Sequence, residues 1–263
     1  MVAEQTAQDP TKREKPFYDE EEELGGAMTF LEHLGELRER LIRTLVALGI
    51  AFVVCFTFSE RLLQMFFFCI PEGVTLQATS PVETLITELK ISLVGGIFIA
   101  FPIIFYQAWM FVAPGLYKRE KKIVLPLIAS AWFCFVFGGI FCYYATFRFT
   151  LQFLESITPG FISSDWKISE FVSFSLNFIL AFGLVFEEPV LILLLARIGL
   201  VTQKMLWNFF PYALIIMFTV AAVITPPDPI SQIVCAVPLV ILYVLSVFVV
   251  HGIEKKSEVE EIG

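Results

Sequence analysis

Apolar residues in this chain gather in long blocks separated by short polar punctuation, and most blocks carry no polar face. A soluble amphipathic helix keeps a polar stripe opposite its apolar one. The blocks run to roughly 17–26 residues, the length that crosses a hydrocarbon core of ~30 Å. They predict six membrane-spanning helices, at about 41–58, 86–113, 123–147, 171–196, 209–225 and 231–250, with edges good to a few residues. No internal repeat is visible.

Composition agrees with this pattern. Of 263 residues 57% are hydrophobic and 29 are Phe, against about 45–50% apolar in a soluble domain; the mean hydropathy is +0.77. The net charge of −8 is local. Residues 1–27 hold eight acids against Lys12, Arg13 and Lys15 and almost nothing apolar, which predicts a disordered acidic tail. A signal peptide would need a basic start and an apolar core; without them the first span is expected to act as an uncleaved anchor. Four of the five cysteines (Cys55, Cys134, Cys142, Cys235) fall inside apolar blocks, and Cys69 does not. With no CxxC pair and only His33 and His251, neither a metal site nor a disulfide framework is expected, and no cofactor.

Charge sets the expected orientation. If the N-terminus is cytoplasmic, 14 of the 18 Lys and Arg lie on the inner side, among them Arg38, Arg40, Arg43, Lys118, Arg119, Lys121 and Lys122. Arg61, Arg148 and Lys167 lie outside, and Lys90 sits near the outer end of span two. Six spans then return the C-terminus to the cytoplasm. Two outer stretches, Leu62–Ile70 and Phe149–Ile157, are closed by Pro and Gly and predict short helices capping the outer face. A seventeen-residue span five would reach only about 26 Å, which implies local thinning of the bilayer.

Prolines 102, 126, 189, 211 and 238 fall inside the spans. Each removes a backbone hydrogen bond and either bends its helix or is simply tolerated there. The expected fold is an all-α integral membrane protein. It has six transmembrane helices, cytoplasmic termini, and a bent concave bundle with short helical caps on the outer face. Its parts are the acidic tail 1–27, a six-span domain 28–253 and a short charged cytoplasmic tail 254–263.

Four stretches could carry chemistry. Thr29 and Glu32 fit a helix-capping box, and Phe30, Leu34, Leu37 and Leu41 follow at helical spacing. This predicts an amphipathic helix along the inner membrane surface, feeding span one. Its charges, Glu36, Glu39, Arg40 and Arg43, either pair at i,i+4 spacing or present carboxylates to a cationic partner. The second stretch is the basic loop between spans two and three, with Glu120 as the one carboxylate among Lys118, Arg119, Lys121 and Lys122. The third is Glu187–Glu188–Pro189. Ten residues of helix, about 15 Å, separate Glu187 from Arg197, which puts Glu187 near the midplane. A charge there costs on the order of 2.5–3.5 kcal/mol, so the group faces protein or water or is protonated. Proton relay and docking of another helix both remain open, and the adjacent carboxylates can share a proton. The fourth is Thr225–Pro226–Pro227–Asp228–Pro229, where Asp228 can cap a helix and Gln232 follows one turn later, in a rigid turn or a binding site.

These stretches, in this order, resemble the TatC family, the multi-spanning C subunit of the twin-arginine protein translocase. The likeness covers roughly Met28–Ile253. It is most specific at His33–Leu34–Gly35–Glu36–Leu37–Arg38–Glu39–Arg40, at Tyr106–Gln107–Ala108–Trp109–Met110–Phe111–Val112–Ala113–Pro114–Gly115–Leu116–Tyr117, at Ala181–Phe182–Gly183–Leu184–Val185–Phe186–Glu187 and at Thr225–Pro226–Pro227–Asp228. The resemblance implies a receptor and scaffold in a bacterial inner membrane export complex. It would bind Arg-Arg signal peptides of folded cargo at the cytoplasmic face and dock single-span TatA and TatB subunits, with transport driven by the proton-motive force. Signal-peptide binding would fall to Glu36 and Glu120, with Arg38, Arg40 and Phe111 beside them. Glu187 matches the polar residue linked to partner-helix contact, and Asp228 and Gln232 match the outer link. The acidic tail, Glu188 and Pro229 depart from the family pattern.

The runner-up is a proton-coupled small-solute transporter with Glu187 as relay, a class that usually shows internal repeats. An enzyme has less to rest on, because no nucleophile–base pair, phosphate loop or metal cluster is present in the sequence. The expectation is therefore a protein that is not an enzyme and that associates with cargo signal peptides, single-span subunits and lipid rather than nucleic acid.

Overall fold

The computed structural model describes residues 30–67, 70, 74–112, 121–159 and 165–262. The acidic stretch 1–27, the Thr29 cap, Cys69 and the loop bearing Glu120 lie outside the described residues. Six helical stretches are long and apolar enough to cross a membrane: His33–Thr57, Pro81–Phe111, Leu125–Ser156, Ile168–Arg197, Gln203–Ile224 and Pro229–Gly252. The six expected spans are therefore present. Several start earlier than their apolar cores, because polar helix formers extend a helix beyond the hydrocarbon without breaking it.

The chain runs α1 Phe30–Thr57, α2 Ser59–Phe67, strand β1 Thr75–Gln77, α3 Pro81–Val112, α4 Lys121–Phe141, α5 Arg148–Ser156, strand β2 Asp165–Lys167, α6 Ile168–Val185, α7 Glu188–Arg197, α8 Gln203–Ile224 and α9 Pro229–Ile262. α1 is one uninterrupted helix. The amphipathic stretch forms the first turns of this helix and runs straight on into span one. α8 has 22 residues, about 33 Å at ~1.5 Å per residue, so span five is long enough and the length argument for a thinned bilayer falls. The first turns of α8, Gln203–Asn208, precede the apolar core at 209–225 and supply the added length. Prolines 102, 126, 211 and 238 sit inside α3, α4, α8 and α9 without ending them. Pro189 instead marks a break, since span four is two helices, α6 and α7.

The short helices α2 and α5 lie at the end of the bundle that also holds the α8–α9 turn. α5 continues span three through a π-helical turn, Cys142–Phe147, with no loop between. The Tyr143 hydroxyl donates to the Met65 carbonyl of α2. A parallel two-stranded pairing joins the two long links, Thr75 opposite Asp165 and Gln77 opposite Lys167. The sequence carries too few strand residues there to predict it.

Lipid tails are as apolar as Leu, so burial alone does not press helices together in a bilayer, and close packing matters more. Three glycines allow it here. A Cβ at Gly138 of α4 would stand 2.7 Å from the Phe182 carbonyl oxygen of α6, one at Gly139 2.8 Å from the Phe98 ring of α3, and one at Gly183 2.8 Å from the Phe135 ring. Aromatic rings fill the space around them. Phe101 and Phe135 stack at 4.0 Å, and Phe178 packs on Phe182 at 5.7 Å. Many of the 29 Phe thus serve a ring-packed core between α3, α4 and α6.

Glu83 ties two helix starts together. Its carboxylate accepts from the Thr79 amide (2.7 Å) and from the Ser169 amide at the start of α6 (3.2 Å). It satisfies orphan amides of two N-termini, where negative charge is favoured. Glu83→Ala is expected to lower the thermal unfolding temperature. Hydrogen exchange should speed at Thr79 and Ser169 first, and unchanged exchange at both would contradict the bridge.

Candidate functional site

The first group lies on α1. Its helical spacing places Glu36 one turn after His33, with Nδ1 3.9 Å from the carboxylate, and the Glu36 side chain is only 19% exposed. Leu34, Leu37 and Leu41 are exposed on these turns, and so are Arg38 and Glu39. Arg38 is exposed and Arg40 half-buried. Phe111 is half-buried one residue before the end of α3. Glu120 lies outside the described residues.

Gln107, four residues earlier on α3, is 9% exposed, and its side-chain carbonyl has no hydrogen bond among the described residues. Trp109 packs nearby on a cluster that includes Phe101, Leu127, Phe135 and Leu194.

The second group sits at the break in span four. Pro189 has no amide to give to the Val185 carbonyl. The chain tightens there, with the Glu187 amide bonding to Leu184 (3.1 Å) three residues back. Successive helical residues point about 100° apart, and the two carboxylates accordingly meet different neighbours. Glu187 is 5% exposed. It lies against the Cys134–Phe135 stretch of α4, and neither of its oxygens has a hydrogen bond among the described residues. Gly138 permits this close approach of α4 to α6. Glu188 is half-buried and lines a groove of about 410 Å³ bounded by α6, α7, α8 and α9. Leu206, Met217, Leu239 and Tyr243 make up much of the apolar wall. Tyr243 shares the groove with Glu188, and its hydroxyl donates to the Leu206 carbonyl (2.8 Å).

Tyr243 had not been singled out from the sequence, although a hydroxyl in the most apolar span was a signal. Nor had Glu88 of α3, a half-buried carboxylate that accepts from Ser59 (3.3 Å).

The third group is the α8–α9 turn. Asp228 accepts from the Ser231 amide (2.6 Å) as the cap of α9, and Pro229 takes the first helical position. Gln232 donates to the Phe218 carbonyl of α8 (3.1 Å). Both residues therefore stitch the turn. Gln232 is about 16 Å of helix rise from Tyr243 on α9, so the turn and the Glu188 groove lie at different depths.

Membrane helices broken at buried carboxylates occur in several families, and comparison with known proteins separates them. Residues 32–238 match the family described as Sec-independent protein translocase protein (TatC). The chain belongs to the TatC family. A TatC of Desulforapulum autotrophicum is 40% identical over 236 residues, 88% of this chain and 87% of that one. A TatC of Helicobacter pylori strain J99 is 42% identical over 217 residues, 82% of this chain and 86% of that one. A crystal structure described as the twin arginine translocase receptor TatC superposes with a TM-score of 0.75 at 34% identity, covering 84% of this chain and 98% of that one. The resemblance to TatC read from four motifs thus holds across most of the chain. This TatC-family chain is a multi-pass membrane protein, and its acidic segment 1–27 falls outside the matched region.

Proposed function

We propose that this chain is the receptor and scaffold subunit of a twin-arginine protein export complex in the bacterial inner membrane. It binds the Arg-Arg motif of signal peptides on folded cargo at the cytoplasmic face through Glu36 and Glu120, with Arg38, Arg40 and Phe111 around them. It docks single-span TatA and TatB subunits, and the proton-motive force drives transport. It works by binding and catalyses no covalent step. What carries the reading is TatC membership over residues 32–238, together with a crystal-structure relative described as the twin arginine translocase receptor. The 14-to-3 split of basic residues supports cytoplasmic termini. Carboxylates suit the ligand, because a guanidinium forks onto a carboxylate as a Lys ammonium does not.

The pair at the helix break divides its labour on this reading. Glu188, in the wall of the α6–α9 groove, meets a partner helix, and Glu187, packed against α4, holds the break. The break itself would suit a solute transporter with a midplane site, but that class has no support from the family match.

Co-purification tests the whole. Single-span subunits and an Arg-Arg cargo are expected to come down with the chain, and a Lys-Lys cargo is not. Glu188→Gln should reduce the single-span subunits recovered several-fold, while Glu187→Gln leaves recovery intact. Equal recovery of both cargoes would sink the receptor role. Loss with Glu187→Gln alone would reverse the division of labour.

A further inference from the structure

α1 is the least buried of the six spans: 11% of its apolar window is buried, against 39% for Leu125–Ser156 and 44% for Ile168–Arg197. Its buried residues Ala51 and Cys55 face the glycine pair of α3. A Cβ at Gly96 would stand 3.0 Å from the Phe52 backbone nitrogen, and one at Gly95 3.1 Å from the Cys55 sulfur. Towards the start of α1 the two helices leave a groove of about 490 Å³. Ile50, Val54, Ile99 and Ile103 line it, alanines 47 and 100 give it width, and Arg43 stands in its wall.

We propose that this groove binds one anionic phospholipid, with an acyl chain laid between α1 and α3 and the phosphate held by Arg43. Length argues for lipid over protein. From Arg43 to Val54 the helix rises about 16 Å, close to the ~15 Å of one leaflet, half of a ~30 Å hydrocarbon core. The contact at Gly95 and Gly96 closes the groove at that depth. A transmembrane helix docking here would need about twice the length. Charge argues for an anionic headgroup. The α6–α9 groove has Glu188 in its wall, and a third groove, between α2, α3, α4 and α6, is lined by no charged residue. Arg43 is the cation among the three. Its guanidinium offers five N–H donors, so a neighbour on the helix and a phosphate can be served together. Basic sites between membrane helices bind anionic headgroups in this way.

The test reconstitutes the full chain in bilayer discs containing phosphatidylglycerol or phosphatidylcholine with the same diazirine-bearing acyl chains. Labelled peptides are then mapped after illumination. The exposed face of α9 at Ile241, Leu245 and Phe248 reports ordinary surrounding lipid. Label on the Ile42–Val54 and Ile99–Ile103 segments is expected to favour phosphatidylglycerol about five-fold over the α9 ratio. Arg43→Gln should bring the two ratios together, and Arg43→Lys should restore most of the preference. Ala100→Trp should remove groove label for both lipids while α9 label persists. Equal ratios in the unaltered chain, or a preference unchanged in Arg43→Gln, would overturn the assignment. So would groove label that vanishes when single-span subunits are co-reconstituted, which would give the groove to protein.

Discussion

Replacing Glu36 with Ala should weaken binding of an Arg-Arg signal peptide by about ten- to hundred-fold, and Glu120→Ala should do the same. The magnitude depends on burial. An ion pair between exposed side chains contributes about 0–1 kcal/mol, which a binding assay would barely register. The Glu36 side chain is only 19% exposed and has His33 at 3.9 Å. A guanidinium arriving there meets a carboxylate already partly removed from water. A charge-assisted hydrogen bond in such a place contributes about 1.5–3 kcal/mol, the range just given. Glu36→Gln keeps the shape and one acceptor, so it should fall between wild type and Ala. A Lys-Lys peptide should lose affinity for the wild type and lose little more on Glu36→Ala. Fluorescence anisotropy with a labelled signal peptide and the detergent-purified chain reads all of these. If Glu36→Ala and Glu120→Ala both bind as the wild type does, the arginine pair is held elsewhere. The Arg38 and Arg40 assignments would then lose their reason.

Much of the fold was legible because the bilayer simplifies the problem. A spanning segment must satisfy its backbone internally, so a long apolar block is a helix. Six blocks became six spans, and the Pro and Gly after Leu62–Ile70 and Phe149–Ile157 correctly announced short helices at one end. Helix ends were less legible. Gln203–Asn208 of α8 and the first turns of α1 mix polar with apolar residues yet are helical, because helix propensity does not follow hydropathy. The parallel pairing of Thr75–Gln77 with Asp165–Lys167 was not legible at all. It joins residues ninety positions apart and leaves no periodic pattern.

At the candidate site, residue type was easier to read than direction. Glu187 and Glu188 looked interchangeable as adjacent midplane acids, and only the fold turns one toward α4 and the other into the α6–α9 groove. Pro189 read only as one of five prolines that either bend a span or are tolerated in it, and of the five it marks the break between α6 and α7. Asp228 read correctly as a helix cap. Gln232, grouped with it by spacing, bonds to the Phe218 carbonyl, a contact across the α8–α9 turn that spacing within α9 could not reveal. Glu83 went unremarked because it resembles any acid in a first helical turn, yet it joins α3 to α6.

Gly138→Leu should be among the most damaging single changes in the spans. A Cβ there would lie 2.7 Å from both the Phe182 carbonyl oxygen and the Phe186 Cβ. Neither neighbour is the free end of a flexible side chain. Relief requires α4 and α6 to separate, and the contacts of Phe141 with Phe182 and of Phe137 with Phe186 would separate with them. Overpacking of this kind costs about 1–3 kcal/mol and sometimes more. Without a water-driven hydrophobic term to hold the helices together, close approach is much of what the pair has. The apparent Tm in detergent is expected to fall by roughly 5–10 °C, or the chain to elute as aggregate. Gly49→Ala on α1 is the control. Nothing lies within 4 Å of the added carbon there, and removing a helical glycine should be neutral or stabilise by about 0.5–1 kcal/mol. Glu187 adds a second readout, because it lies against the same stretch of α4. Spreading α4 from α6 should let water reach its carboxylate, and a carbodiimide that spares Glu187 in the wild type should modify it in Gly138→Leu. Wild-type stability together with a protected Glu187 in that variant would mean that the close contact at Gly138 does not hold these helices together.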